Sequence, residues 1–107
     1  MPIRKIKYKL EIPVGLSFDR MRFDNNITLH PSDLEPTDET GVFEDTLSDQ
    51  IITEGGKLRV IVHVSGQNGL QWSLQVWVGS KALNDNPITE SASGGRADHD
   101  EIHSYDE

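Results

Sequence analysis

Residues 57–79 read KLRVIVHVSGQNGLQWSLQVWVG, and apolar and polar side chains alternate in two runs of this stretch. Alternation with a period of two is typical of β-strands that bury one face. The apolar positions are Leu58, Val60, Val62 and Val64 in the first run and Leu70, Trp72, Leu74, Val76 and Val78 in the second. The stretch therefore predicts two consecutive strands and a mainly β protein.

The segment between the two runs predicts a hairpin. A two-residue turn at Asn68-Gly69 is a common choice, but its register would mix apolar and polar side chains on each face. A three-residue loop over residues 67–69 instead pairs Val64 with Trp72 and keeps the apolar positions together. Such loops need a left-handed residue, so this register also predicts a positive φ at Gly69.

The polar face of this predicted hairpin is a candidate binding surface. It would bring Arg59 opposite Trp77, with Ile61 diagonal to the indole, and an apolar patch on a sheet face needs a cover. The cover is the rest of the domain, a protein partner or second subunit, or a sugar, because an indole beside hydrogen-bonding groups suits carbohydrate. The candidate partner- or ligand-binding residues are Arg59, Ile61, His63, Gln71, Ser73, Gln75 and Trp77.

Other segments agree with this fold class. Residues 6–14 alternate in the same way and predict a further strand. The stretch 43–52 is ambiguous: Phe43, Leu47 and Ile51 are four residues apart, as on a helix, whereas its ends also fit short strand pieces. We predict a small antiparallel β-sandwich or jelly-roll-like sheet with one short helix near residues 43–52.

The chain length of 107 residues fits a single domain. We expect a β-rich core over residues 1–83 and a polar, acidic C-terminal segment over residues 84–107, docked on the domain or on a neighbouring subunit. A lysine stripe of opposite charge lies on one face of the first strand and consists of Lys5, Lys7 and Lys9. The alternatives are that the C-terminal segment is a solvated chain end and that the lysine stripe is a solvated strand face.

The last ten residues, DHDEIHSYDE, contain several residue types that bind metals. On a helix His99 and His103 would share a face, and a carboxylate such as that of Asp100 would complete a site. Two histidines four apart also occur by chance in polar tails, and no apolar shell surrounds them in the sequence. We therefore expect the tail to act through charge, with a metal site at His99, His103 and Asp100 as the alternative.

The composition excludes several classes of function. Eighteen acidic and ten basic residues give a net charge of −8, which disfavours nucleic acid and anionic membranes as partners. The absence of cysteine excludes disulfides and cysteine-ligated metals, and it favours a cytoplasmic or virion-associated protein. The alternating N-terminal residues do not predict a signal peptide, and no apolar stretch reaches the ~20 residues of a membrane helix.

No nucleophile elbow, phosphate-binding glycine loop or zinc-protease motif is found in the sequence. We therefore expect a protein that is not an enzyme and needs no cofactor. The expected function is protein–protein interaction or assembly, of the adaptor or inhibitor type, with a second copy of the chain or another protein as partner. A carbohydrate-binding module using Trp77 and a metal-dependent protein using the tail are the alternatives.

Overall fold

A computed structural model describes residues 3–24, 27–52 and 56–106 of the chain. The protein is mainly β, with two antiparallel sheets packed against each other as in a small β-sandwich, so the predicted fold class is confirmed. The strands are β1 (Ile3–Glu11), β2 (Leu16–Phe23), β3 (Ile27–Leu29), β4 (Val42–Ile52), β5 (Lys57–Gly66), β6 (Gln71–Val78), β7 (Lys81–Ala82), β8 (Ile88–Ser91) and β9 (His99–Ser104). A 3₁₀ turn, Pro31–Asp33, follows β3.

The two sheets are assembled from strands that alternate along the chain. The first sheet has the order β4-β1-β6-β7, with β8 also paired to β6, and the second has the order β3-β2-β5-β9. All of the pairs are antiparallel. In the described part of the chain, β9 is therefore a terminal strand of the second sheet, and β8 lies at the border of the first.

The core lies between the sheets because period-two alternation gives each strand one apolar face. In β5 and β6 the predicted apolar faces are buried, and Trp72 is the largest of these side chains. The largest side chains without exposure are Trp72, Tyr8, Phe23, Ile6, Leu10, Met21, Leu58, Leu74, Val60, Val62 and Val64. These residues belong to both sheets and form one continuous core.

The predicted hairpin is wrong, although both of its strands exist. Strand β5 pairs with β2 and β9, whereas β6 pairs with β1, β7 and β8, so Val64 and Trp72 belong to opposite sheets. Alternation determines which face of a strand is buried but does not determine its neighbour. Gly69 does have a positive φ, at 88°, because the chain turns there from one sheet to the other and the Gly69 N–H donates to the Ala92 carbonyl.

The short helix predicted near residues 43–52 is also wrong, because residues 42–52 form the eleven-residue strand β4. This strand pairs with β1 along its length, with one register shift between Lys5 and Lys7. A spacing of four is even, so it keeps Phe43 and Leu47 on one face of a strand as well as on one face of a helix. Leu47 is buried and Phe43 packs against the core.

The C-terminal segment, residues 84–107, contributes a strand to each sheet. Strand β8 pairs with β6 over Ile88–Ser91, and β9 pairs with β5 over His99–Ser104. Whether the segment also contacts a neighbouring subunit stays a prediction. Within the described ranges, no helix is long and apolar enough to cross a membrane.

Candidate metal centre

The residues of the predicted hairpin surface are divided between the two sheets. Arg59, Ile61 and His63 lie on β5 in the second sheet, whereas the other four residues of the predicted surface lie on β6 in the first sheet. Ile61 is buried. The structure therefore does not bring the seven residues together. The β6 residues are Gln71, Ser73, Gln75 and Trp77.

Trp77 is paired with a lysine and not with Arg59. Lys7 is its direct neighbour on β1, and the Lys7 ammonium lies 5.2 Å from the centre of the indole ring. A face of the half-buried indole is therefore covered by its own chain. The lysine stripe, Lys5, Lys7 and Lys9, lies on β1 between β4 and β6, so it is not on a sheet edge.

The acidic residues of the tail contact arginines. Arg59 donates two hydrogen bonds of 2.9 Å to Asp100, which raise the pKa of Arg59 and lower the pKa of Asp100. Arg96 makes the same kind of pair with Asp98. Strand β9 lies in the sheet that does not contain β1, so the described part of the tail does not lie on the lysine stripe of its own chain.

Strand β9 does bring the two predicted histidine ligands together. His99 and His103 are both buried, and a side-chain oxygen of Glu101 lies with a nitrogen of each ring in a group whose atoms are all within 4.8 Å of one another. On a strand, residues two apart share a face, which puts Glu101 with the histidines and turns Asp100 away. Asp100 as third ligand is therefore a correction, because its carboxylate faces outward to Arg59.

Each imidazole is held by a carboxylate from the first sheet or its connections. The Nδ1 atom of His99 lies 2.7 Å from Oε2 of Glu90 on β8, and Nδ1 of His103 lies 2.9 Å from Oδ2 of Asp85, between β7 and β8. A carboxylate accepts hydrogen bonds, so each Nδ1 carries a hydrogen and donates it. These contacts define the tautomer of both rings and direct both Nε2 atoms to other partners.

The two Nε2 atoms then face each other at 2.8 Å. If both rings are neutral, two lone pairs point at one another, which is repulsive unless a cation lies between them. The cation is either a proton shared by the rings or a metal ion. Zinc–nitrogen bonds of about 2.0–2.1 Å at a tetrahedral angle place two ligand nitrogens roughly 3.3 Å apart. To hold zinc the rings would therefore separate by about 0.5 Å and would also tilt until both Nε2 lone pairs point at the ion.

Apolar residues line the core side of the two histidines. Their strand partners on β5 are Val62 and Leu58, both without exposure. The Trp72 ring lies edge-on to His99, with centroids 6.2 Å apart, and its indole N–H donates to the Ala97 carbonyl at 2.7 Å. These residues exclude water from the core side of the site and strengthen the electrostatic interactions there.

Three residues of this cluster were absent from the sequence-based set. Glu101 is recognisable from the sequence if residues 99–103 are taken as a strand, because the pattern HxExH then lies on one face. Glu90 and Asp85 are not recognisable from the sequence, since they approach the histidines only through the packing of the two sheets.

Comparison with known proteins gives no match among family models, curated proteins or solved structures. The function is therefore inferred from the geometry of the cluster alone.

Proposed function

We propose that the protein binds a divalent transition-metal ion through His99, Glu101 and His103. The observation that carries the proposal is that the Nε2 atoms of His99 and His103 lie 2.8 Å apart, while each Nδ1 is hydrogen-bonded to a carboxylate. Histidines that bind metals generally donate the other ring N–H to a carboxylate or carbonyl, which is the arrangement found twice here. Two imidazoles and one carboxylate suit zinc and neighbouring first-row ions.

The position of the cluster favours a site with access to solvent. Both histidines are buried, but Glu101 is exposed on the terminal strand of its sheet. Three protein ligands leave a fourth position of a tetrahedral ion for water or an external ligand. The metal-dependent alternative thus has more support than protein interaction or carbohydrate binding, whose predicted surface is divided between two sheets.

The other expectations stay predictions. Assembly with a second copy or another protein would use exposed apolar side chains, of which Val14 and Ile102 are the large ones described. Carbohydrate binding at Trp77 would require Lys7 to move from the ring. A cytoplasmic or virion-associated setting rests on the absence of cysteine.

The test is calorimetric titration of the chelator-treated protein with Zn²⁺. We expect one ion per chain with a dissociation constant in the micromolar range or lower, which corresponds to about −8 kcal/mol or better. His103→Gln should weaken binding by more than about 100-fold, since loss of a ligand exceeds the effect typical of its outer partners.

His63→Gln is the matched control, because His63 lies on β5 beside Asp98 and outside the cluster. Its affinity for Zn²⁺ should equal that of the wild type. A wild-type protein without saturable 1:1 binding, or a His103→Gln variant that binds as tightly, would overturn the proposal. Circular dichroism confirms that each variant is folded before it is titrated.

A further inference from the structure

We infer that Glu90 and Asp85 are positioning residues, which orient His99 and His103 for the metal ion. We also infer that the bound ion strengthens the contacts between β9 in the second sheet and the segment of the first sheet that contains β8. This inference rests on the proposed metal site, which it extends to the other sheet. The affinity for the ion and the strength of the contacts between the two sheets should therefore depend on one another.

The topology makes each imidazole a bridge between the sheets. The histidines belong to β9 in the second sheet, whereas Glu90 belongs to β8, which pairs with β6 in the first. Asp85 lies in the connection that leads to β8. A backbone hydrogen bond of 2.8 Å from the Asn84 N–H to the Ser104 carbonyl also joins these segments. The two histidine–carboxylate contacts extend this junction along β9 from His103 to its first residue, His99.

The chemistry of the rings couples metal binding to that junction. A metal at Nε2 withdraws electron density from the ring, so the N–H at Nδ1 becomes a stronger donor to its carboxylate. The carboxylate in turn orients the ring and makes Nε2 a better ligand. Because binding free energies are reciprocal, an ion that strengthens the contacts to the first sheet is itself bound more tightly when the sheets are closed.

The two carboxylates should contribute unequally. The Glu90 side chain is 37% exposed and its contact to His99 is 2.7 Å long, whereas Asp85 is 65% exposed with a contact of 2.9 Å to His103. Water screens the more exposed pair more strongly. We therefore expect Glu90→Gln to weaken Zn²⁺ binding by about 10–100-fold, which is the range known for residues that hydrogen-bond to metal ligands. Asp85→Asn should weaken Zn²⁺ binding less than Glu90→Gln does.

The matched control is Asp100→Asn. Asp100 is a carboxylate on β9 itself, but it faces outward to Arg59. This variant should bind Zn²⁺ within about twofold of the wild type, since it removes a negative charge near the site without removing a contact to a ring. It separates positioning of the imidazoles from a general loss of charge.

Two spectroscopic measurements exclude a merely structural role. Long-range ¹H–¹⁵N spectra of the histidine rings should show hydrogen at Nδ1 of both rings in the zinc-bound wild type, and a changed His99 signal in Glu90→Gln. Hydrogen exchange should show that Zn²⁺ protects residues 83–91 together with residues 99–104. In Glu90→Gln the protection of residues 83–91 by Zn²⁺ should be lost.

The outcomes distinguish the two proposals. If the wild type does not bind Zn²⁺, the metal site itself is wrong. If the wild type binds Zn²⁺ but Glu90→Gln and Asp85→Asn have unchanged affinity, or Zn²⁺ protects residues 99–104 alone, the positioning roles are wrong and the metal site stands. Asp85 is largely exposed, so its variant provides the test even if Glu90→Gln does not fold.

Discussion

The Nε2 atom of His99 lies 2.8 Å from the Nε2 atom of His103, although the two residues are four apart on one strand. A straight strand with a rise of about 3.3 Å per residue would hold side chains four residues apart too far from each other for this contact. The contact therefore requires that both side chains lean toward the middle of β9 and that the backbone between them is shortened or curved. Their rings meet at a centroid distance of 5.1 Å with an angle of 23° between the planes. A convergent pair of buried nitrogens is an arrangement that a cation stabilises.

Zinc should stabilise the folded protein. A ligand that binds only the folded state raises the free energy of unfolding by about 2.7 kcal/mol at 100 times its dissociation constant. Urea denaturation with Zn²⁺ and with a chelator measures the difference. His63→Gln should keep the full effect, and His103→Gln should lose it. Equal stabilisation of both variants would mean that Zn²⁺ acts at another place.

Trp72 should be far more important to stability than Trp77. Trp72 is buried, and its indole N–H donates to the Ala97 carbonyl, two residues before His99. Trp72→Phe leaves that carbonyl without its described partner and opens a cavity, so we expect a loss of about 2–4 kcal/mol. Trp77→Phe reduces an exposed cation–π contact with Lys7 and should cost no more than about 1 kcal/mol. Urea denaturation compares the two, and equal losses would contradict the burial of Trp72.

The strands and their buried faces could be predicted from the sequence, but their partners could not. The alternation that marks Leu58 and Leu74 as core residues is confirmed, because burial on one face leaves a period of two. The same pattern is satisfied by a hairpin within one sheet and by two strands in opposite sheets. The choice depends on β1, which pairs with β6, and on β2 and β9, which pair with β5, and these strands come from distant parts of the chain.

The site could be predicted only in part for a related reason. His99 and His103 are recognisable from their residue type, and spacing by four brings them to one face in either a helix or a strand. The third residue of the proposed site depends on whether a helix or a strand forms, and a strand places Glu101, and not Asp100, on the face of the histidines. Glu90 lies on a different strand, so its contact with His99 follows from tertiary packing and has no local signal.

Asp98 should contribute to the loss of stability in acid. Hydrogen bonds from Arg96, aided by the Val64 N–H, lower the pKa of Asp98 below its ordinary value of 3.8. The unfolded chain therefore takes up the proton first, so the stabilisation is present above pH 3.8 and is lost as the pH falls through the lower, folded-state value.

Urea denaturation of Asp98→Asn between pH 2 and 6 measures this contribution. The difference in unfolding free energy from the wild type should be largest above about pH 4 and should shrink below it, and 0.5 M salt should reduce it because the pair is partly exposed. Arg96→Gln should likewise reduce the dependence of the unfolding free energy on pH at the acidic end of this range. A difference that does not change with pH would mean that Asp98 acts through packing and not through its charge.

Two glycines near the turn from β5 to β6 should differ sharply in their tolerance of a side chain. Both have positive φ, at 145° for Gly66 and 88° for Gly69. A β-carbon at Gly69 meets nothing within 4 Å, so Gly69→Ala should cost only the strain of a left-handed residue, about 1–2 kcal/mol. A β-carbon at Gly66 would collide with the carbonyl oxygen of Gly15 and the backbone of Leu16, its strand partner. That clash involves backbone and not a flexible side chain, so Gly66→Ala must separate β2 from β5 and should cost roughly 3 kcal/mol or more. Urea denaturation of the two variants provides the comparison, and similar losses would show that the connection between β1 and β2 yields without disturbing the sheet.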